Sequence, residues 1–224
     1  MRKSIRKPQF GFTLVEIAIV LVIIGLLLGG VLKGQELVNS AKVKSLANDF
    51  RSISSFVYAY QDRFRATPGD DRNPSSHVAG GTLATTPGVN NIGNSRINGH
   101  WNSRTITDES FLFWQHIRLA GLAAGTPTIS PVDDYLQRNA EGGVVGITGD
   151  VILTGPSVPY PASFYVCSEG IQGRFARQID TAIDDGNTQT GAVRVIKNGV
   201  ASQEKAELLT PSDDATLYTV CHAF

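Results

Sequence analysis

An uninterrupted apolar stretch dominates the N-terminal part of the chain. It extends from Phe12 to Leu32, 21 residues among which Glu16 is the only charged one. At about 1.5 Å per residue, a helix of this length crosses a hydrocarbon core about 30 Å thick. The pattern therefore predicts a membrane-spanning helical segment over residues 12–34, preceded by a short basic leader over residues 1–11.

The next segment, residues 35–66, keeps a helical pattern but is apolar on one face only. Its apolar and aromatic residues recur at alternating spacings of three and four, which aligns them along one side of a helix. They are Val43, Leu46, Phe50, Ile53, Val57, Tyr60 and Phe64. Such a stripe is not stable in water. We therefore expect its upper part to pack on the rest of the chain, residues 67–224, which we call the head.

The head is predicted to contain both helices and strands. The first helix should end before Pro68-Gly69-Asp70, because proline disfavours a helical residue before it and the sequence is typical of a turn. Residues 72–103 are rich in Gly, Asn, Ser, Thr and Pro and indicate a long loop. Alternating β-branched and aromatic residues then predict strands at 151–154, 163–167, 192–196 and 217–222, with a short helix within 170–183.

A second helix is expected near the start of the most aromatic part of the head. Thr107 can cap this helix, and Asp108 and Glu109 would lie at its positive end. The fold class that follows is α+β. A long N-terminal helix, membrane-spanning in its first half, carries a globular head whose antiparallel sheet buries the apolar face of the upper half.

The distribution of charge predicts the orientation of the chain in the membrane and limits the kinds of partner that it is expected to bind. The leader holds Arg2, Lys3, Arg6 and Lys7, and no comparable basic cluster follows the apolar segment, so the N-terminus is expected inside and the head outside. Without the leader, 16 basic residues stand against 20 acidic ones, which does not suggest a nucleic-acid-binding surface, although a local basic patch stays open. An acid within a spanning segment is a functional hypothesis by default and needs a partner, so Glu16 is a candidate.

The basic leader, Gly11-Phe12, Thr13-Leu14-Val15-Glu16 and the apolar run together resemble the class III signal of type IV pilins and type II secretion pseudopilins. The resemblance implies that prepilin peptidase cuts after Gly11 and methylates the new N-terminus at Phe12. It makes Glu16 the fifth residue of the mature chain. Glu16 could pair with the amine of its own chain or with that of an incoming subunit, and we expect it to act in assembly.

The same resemblance implies a non-enzymatic filament subunit: a pilin, minor pilin or pseudopilin of a type IV pilus or pseudopilus. Its expected partners are other pilin or pseudopilin subunits, prepilin peptidase and the bacterial inner membrane, which the chain would cross once with its head in the periplasm. The lower part of the helical stripe would then be buried only against neighbouring subunits.

Three other interpretations stay open at this point. An ordinary signal peptide has an apolar region of about 7–15 residues, shorter than the one present here. The apolar segment could also be a plain anchor in which Glu16 is incidental. Finally, the chain could be a membrane-anchored periplasmic enzyme or ligand-binding domain, although the sequence has no nucleophile elbow, phosphate loop or dinucleotide fingerprint.

The two cysteines, Cys167 and Cys221, both lie in the exported part of the chain. In an oxidising compartment, two cysteines most simply form one disulfide. Two buried thiols would be the alternative for a reducing compartment. The sequence therefore predicts a disulfide that joins the second predicted strand to the last.

No metal site or cofactor is predicted. The four histidines (His77, His100, His116 and His222) form no short-range ligand pair with a neighbouring acid. Asp180, Asp184, Asp185 and Asn187 cluster closely enough for a calcium loop, which resembles the calcium-binding head loop of major pseudopilins. Their spacing does not match an EF-hand, however, and an exposed turn held by Asx hydrogen bonds is the favoured interpretation.

Overall fold

The first helix, α1, extends from Leu14 to Phe64, 51 residues without a break. The computed structural model describes residues 13–86, 91–155 and 160–224. Two compact units meet within α1, between Ala41 and Lys42. The predicted helix is thus present, and it ends at Phe64, two residues before the predicted end at residue 66.

The apolar stripe of the upper part of α1 is buried in the second unit. Six of the seven predicted side chains are at most 7% exposed: Val43, Leu46, Phe50, Ile53, Val57 and Tyr60. The seventh, Phe64, is half-buried, with its ring centroid 4.6 Å from that of Tyr60. The rings of Phe50 and His222 make a T-shaped contact, and their centroids are 6.0 Å apart. The prediction that this stripe packs on the head is confirmed.

The head adds four helices and four strands in its described part. Two of the helices are single turns, α2 (Pro74–His77) and α4 (Val132–Tyr135), and two are longer, α3 (Glu109–Leu119) and α5 (Gly173–Ile183). The strands are β1 (Val145–Thr148), β2 (Tyr165–Gln172), β3 (Val193–Lys197) and β4 (Leu217–Ala223). A 3₁₀-helix, Pro211–Asp213, precedes β4. The α+β class is confirmed, as is a short helix within 170–183.

The strands form one antiparallel sheet in the order β1-β2-β4-β3. Cys167 of β2 lies directly opposite Cys221 of β4 in the register, and the two are joined by a disulfide. Both cysteines are fully buried. The predicted disulfide therefore links the two central strands of the sheet.

The prediction of a strand at residues 151–154 is wrong. Leu153 makes only an isolated bridge with Gln203, and the strand at this edge of the sheet is β1, which the sequence pattern did not indicate. The reason is Gly146, a residue that weakens a strand on local grounds. A β-carbon there would lie 1.7 Å from the carbonyl oxygen of Trp101, so the close approach of this loop requires glycine inside the strand.

The loop that contains Trp101 also buries more side-chain surface than its polar composition suggested. Ile97 and Trp101 are at most 2% exposed, and the Trp101 indole N–H donates to the carbonyl of Val200 at 3.0 Å. Ile97 and Trp101 therefore anchor this loop against the core.

The N-cap of helix α3 is Asp108, one residue after the predicted cap Thr107, and the helix begins at Glu109. The Asp108 side chain makes no capping hydrogen bond; its Oδ2 instead accepts a hydrogen bond from the Ser103 hydroxyl at 2.5 Å. Glu109 is fully buried and faces the interior. The two acids thus contact residues outside α3 and do not cap the helix, which the local sequence pattern could not show.

Candidate functional site

The lower part of α1 presents an apolar surface. Every large apolar side chain from Leu14 to Val38 is between 45% and 91% exposed. Among the helices of the described part, α1 alone is long and apolar enough to cross a membrane. A continuous surface of this size is stable only when lipid or other apolar chains cover it.

Glu16 lies at the beginning of this surface and folds back onto the start of the helix. Its Oε2 accepts hydrogen bonds from the backbone N–H and the hydroxyl of Thr13, both at 2.8 Å. In return, the Thr13 hydroxyl accepts from the Glu16 N–H at 3.2 Å. Together these contacts form a reciprocal capping box that satisfies donors at the helix N-terminus.

Sequence reasoning missed the role of Thr13, although the signal was present. Thr13-x-x-Glu16 before an apolar run is the sequence signature of a capping box. The capping box places the Glu16 carboxylate at the end of the helix. The predicted processing residues Gly11 and Phe12 lie outside the described residues, so their roles stay predictions.

A second group of notable side chains is the pair of buried carboxyl groups Asp70 and Glu109. Asp70 accepts hydrogen bonds from the backbone N–H groups of Gly93 and Ser95. Glu109 Oε2 accepts from the N–H of Asn98 at 2.7 Å, whereas Glu109 Oε1 meets no donor in the described part. This pattern fits a neutral Glu109 whose proton is donated to Asp70.

The electrostatics of the pair agree with this arrangement. Burial raises the pKa of Glu109 from 4.5 to about 8, and a hydrogen bond to Asp70 and the nearby charges of Asp70 and Asp150 add to the effect of burial. Burial also raises the pKa of Asp70, although its backbone hydrogen bonds oppose the shift. Folding therefore makes Glu109 take up a proton at neutral pH.

The stability of the head should consequently fall as pH rises through this range. Between pH 4.5 and about 8, Glu109 holds a proton in the folded state but not in the unfolded state. Its contribution to the free energy of unfolding is therefore complete below pH 4.5 and is lost towards pH 8.

Glu109→Gln keeps a neutral group with one donor and one acceptor. We expect it to be more stable than the wild type at pH 8, by an amount on the order of 3 kcal/mol that shrinks towards pH 5.

The measurement is denaturant unfolding of the full chain in detergent micelles at several pH values. Glu204→Gln is the matched control, because Glu204 is exposed and its substitution should leave the pH profile parallel to that of the wild type. A Glu109→Gln profile that also runs parallel to the wild type would contradict a proton held on Glu109.

A cleft of about 460 Å³ lies beside the end of α1, with Asp71 and His77 on its wall. Asp71 Oδ2 accepts from the Tyr60 hydroxyl at 2.8 Å and lies 2.6 Å from His77 Nδ1, while Oδ1 accepts from the Asn73 N–H. Burial acts to raise the pKa of Asp71, but these hydrogen bonds outweigh it and lower the pKa. The carboxylate is thus engaged in holding the turn to the helix.

The histidines do not gather into a site. His116 Nδ1 accepts from the Gly69 N–H at 2.9 Å, and its Nε2 is 2.8 Å from the carbonyl of Thr82. Burial lowers the pKa of His116, which therefore stays neutral. Among the described residues, the one group of three or more side chains suited to a metal ion contains no histidine.

That group is Asp180, Asp184 and Asp185, and the structure changes how it is interpreted. The expected Asx turn is present, since Asp185 Oδ1 accepts from the Asn187 N–H at 2.9 Å. Asp180, however, is fully buried rather than exposed. Burial and then the charges of Asp184 and Asp185 raise the pKa of Asp180 to about 7.

Comparison with known proteins concerns the N-terminal segment. Residues 6–32 match the family described as the prokaryotic N-terminal methylation motif. The match includes Gly11, Phe12 and Glu16 and ends at the close of the apolar run. No curated protein matches the chain. The chain therefore carries the class III signal of type IV pilin-like and pseudopilin-like substrates of prepilin peptidase.

Proposed function

We propose that this chain is a structural subunit of a type IV pilus or of a type II secretion pseudopilus: a pilin, minor pilin or pseudopilin. The observation that carries the proposal is the exposed apolar surface of α1, most of which lies within the matched methylation motif, with Glu16 near its start. The motif suggests a structural subunit and not an enzyme.

The proposed life of the chain has two stages. Residues 12–34 first anchor it in the inner membrane as a single span, with the leader 1–11 inside and the head, residues 67–224, in the periplasm. After cleavage, the same segment and the lower part of residues 35–66 leave the bilayer and pack against equivalent helices in the filament. The apolar surface is covered in both stages, which allows one helix to serve as anchor and as filament core.

Glu16 fits the second stage of this scheme. Cleavage at Gly11 would create a positive amine at Phe12, and the capping box holds the Glu16 carboxylate at the same end of the helix. The carboxylate has four lone-pair positions in all, so contacts with Thr13 leave room for an ammonium partner. We propose that this partner comes from the next subunit, because a subunit out of register would leave the charge unpaired in an apolar medium.

Processing at Gly11 is the first test of the proposal. By the resemblance, the peptidase requires a small residue before the cut, so Gly11→Val should leave the full-length chain in the membrane. Gly11→Ala keeps a small residue and should still be cleaved. Intact-mass and N-terminal peptide spectra of the chain from its native host should show a methylated Phe12 for the wild type and an uncut leader for Gly11→Val. A mature start downstream of Leu32 would overturn the assignment.

A further inference from the structure

The cleft beside the end of α1 is lined by two residues with a strained backbone. Arg65 has a φ of 55° and Ser95 a φ of 65°, and in the described part of the chain these are the two non-glycine residues with positive φ. Such residues are uncommon, and they cluster at ligand-binding and active sites. Their presence in one cleft therefore marks it as a candidate binding site.

Arg65 occupies a position where glycine is usual. It directly follows the last residue of α1, and its N–H donates to the carbonyl of Gln61 at 2.8 Å, which closes the helix with a left-handed residue. Glycine adopts this conformation without strain. The Arg65 side chain is 84% exposed and lies 4.0 Å from the Asp62 carboxylate. Helix closure makes no use of the guanidinium, which is therefore available to the cleft.

A second guanidinium on the cleft wall, that of Arg72, is held by packing. A β-carbon at Gly93 would lie 2.0 Å from Arg72 Nε and 2.6 Å from its Cδ, so the stem of this arginine lies directly against the Gly93 backbone. Arg72 makes no hydrogen bond or ion pair within the described part of the chain. A guanidinium that is positioned in advance and has no acceptor is well suited to bind one from a ligand.

The acidic groups of the cleft are already engaged, so its open groups are mainly donors. Asp70 and Asp71 are at most 2% exposed, and their oxygens accept hydrogen bonds from within the head. The guanidiniums of Arg65 and Arg72, in contrast, can only donate. The Ser95 hydroxyl also lines the cleft and has no partner in the described part. These groups fit a ligand that carries an anionic acceptor and hydroxyl groups.

We propose that this cleft binds a small sugar derivative that carries one carboxylate or phosphate group. The planar guanidiniums of Arg65 and Arg72 match the oxygens of either group. The Ser95 hydroxyl and the Asn73 amide can pair with sugar hydroxyls. The cleft volume of about 460 Å³ is typical of a small-molecule site. All of the lining residues belong to the second compact unit, so binding is expected with or without filament assembly.

The test is isothermal titration of the purified full chain in detergent micelles with glucuronate, a glucose phosphate and glucose. For a ligand of about 15 non-hydrogen atoms, the usual ligand efficiency gives a Kd of roughly 0.5 mM. At least one of the two charged sugars should bind at this level with one molecule per chain, and the tighter of the two identifies the anionic group. Glucose should bind at least about tenfold more weakly, because it offers no charged acceptor.

Two variants remove one guanidinium each. Arg65→Gly should weaken binding of the charged sugar at least about tenfold, yet its Tm should be no lower than that of the wild type, because glycine relieves the backbone strain. Arg72→Gln keeps part of the stem that packs on Gly93 and should weaken binding by a similar factor. It keeps the test decisive if Arg65→Gly fails to fold. Arg104→Gln changes an exposed arginine that pairs with Asp133, and it should bind as the wild type does.

Absence of binding by all three sugars at about 10 mM, roughly twentyfold above the expected Kd, would overturn the proposal. Glucose that binds as tightly as its charged derivatives would also overturn it, because the two arginines would then not be recognising an anion. The same holds if Arg65→Gly and Arg72→Gln both bind with wild-type affinity, since the ligand would then lie elsewhere in the chain.

Discussion

Replacing Glu16 with alanine should almost abolish incorporation of this chain into filaments while leaving leader cleavage and folding of the head intact. A buried charge without its partner costs several kcal/mol, so loss of the proposed pair should reduce incorporation by more than about tenfold. The alanine helix should remain in the membrane, since removing a carboxylate favours insertion by up to about 3 kcal/mol. Loss of the protein from the bilayer is therefore not the expected cause.

The capping box allows the charge of Glu16 to be separated from its local role. Glu16→Gln keeps an oxygen that can accept from Thr13 but removes the charge, so it should assemble as poorly as Glu16→Ala. Thr13→Val removes the hydroxyl that bonds to Glu16 and keeps the charge. Its expected cost is that of a lost cap, about 0.5–2 kcal/mol, and filaments should still form.

The measurement is to shear or extract filaments from cells that carry each variant and to probe them for this subunit. Whole-cell amounts and the mature N-terminus are determined in parallel, so that failure of processing is not mistaken for failure of assembly. Normal incorporation of both Glu16 variants would show that the acid is incidental. Failure of Thr13→Val alone would show that capping, and not the intersubunit charge, is what assembly requires.

Breaking the disulfide between Cys167 and Cys221 should cause the largest loss of head stability. The cysteines are 54 residues apart, and for a closed loop of this length the chain-entropy model gives about 4 kcal/mol. For a chain of this size, that loss corresponds to a fall in Tm of about 8–16 °C. Alanine is the suitable replacement, because both positions are fully buried in the sheet and a serine hydroxyl would need a partner there.

The design uses both single variants and the double variant. Either Cys167→Ala or Cys221→Ala removes the whole cross-link, so the double variant should be little less stable than each single one. Additive losses would instead indicate that packing of two separate side chains is responsible. Thiol labelling of the unreduced, denatured wild type should detect no free cysteine, and two labels per chain would contradict the disulfide.

The sequence by itself determined those features that depend on spacing along one helix or on a short motif. The apolar run, the three-and-four stripe up to Tyr60 and the Glu16 signal are local patterns, and a helix of fixed period turns them directly into faces and ends. The same holds for the Thr13 cap, whose signature was present but unnoticed. The pairing of the only two cysteines needed just the exported compartment in addition.

Only the tertiary structure decided what depends on segments far apart in the chain. Gly146 argues against a strand locally, yet β1 needs it because Trp101 approaches from a distant loop. Glu109 was expected to interact with the helix dipole. In the structure it is buried beside Asn98 and Asp70, and this burial raises its pKa so that it holds a proton. Asp180 belongs to a stretch that has the sequence of an exposed turn, and it is buried because the amphipathic helix α5 packs on the sheet. Burial and the approach of distant groups set the charge of a carboxyl group, and neither is encoded in the spacing of its neighbours.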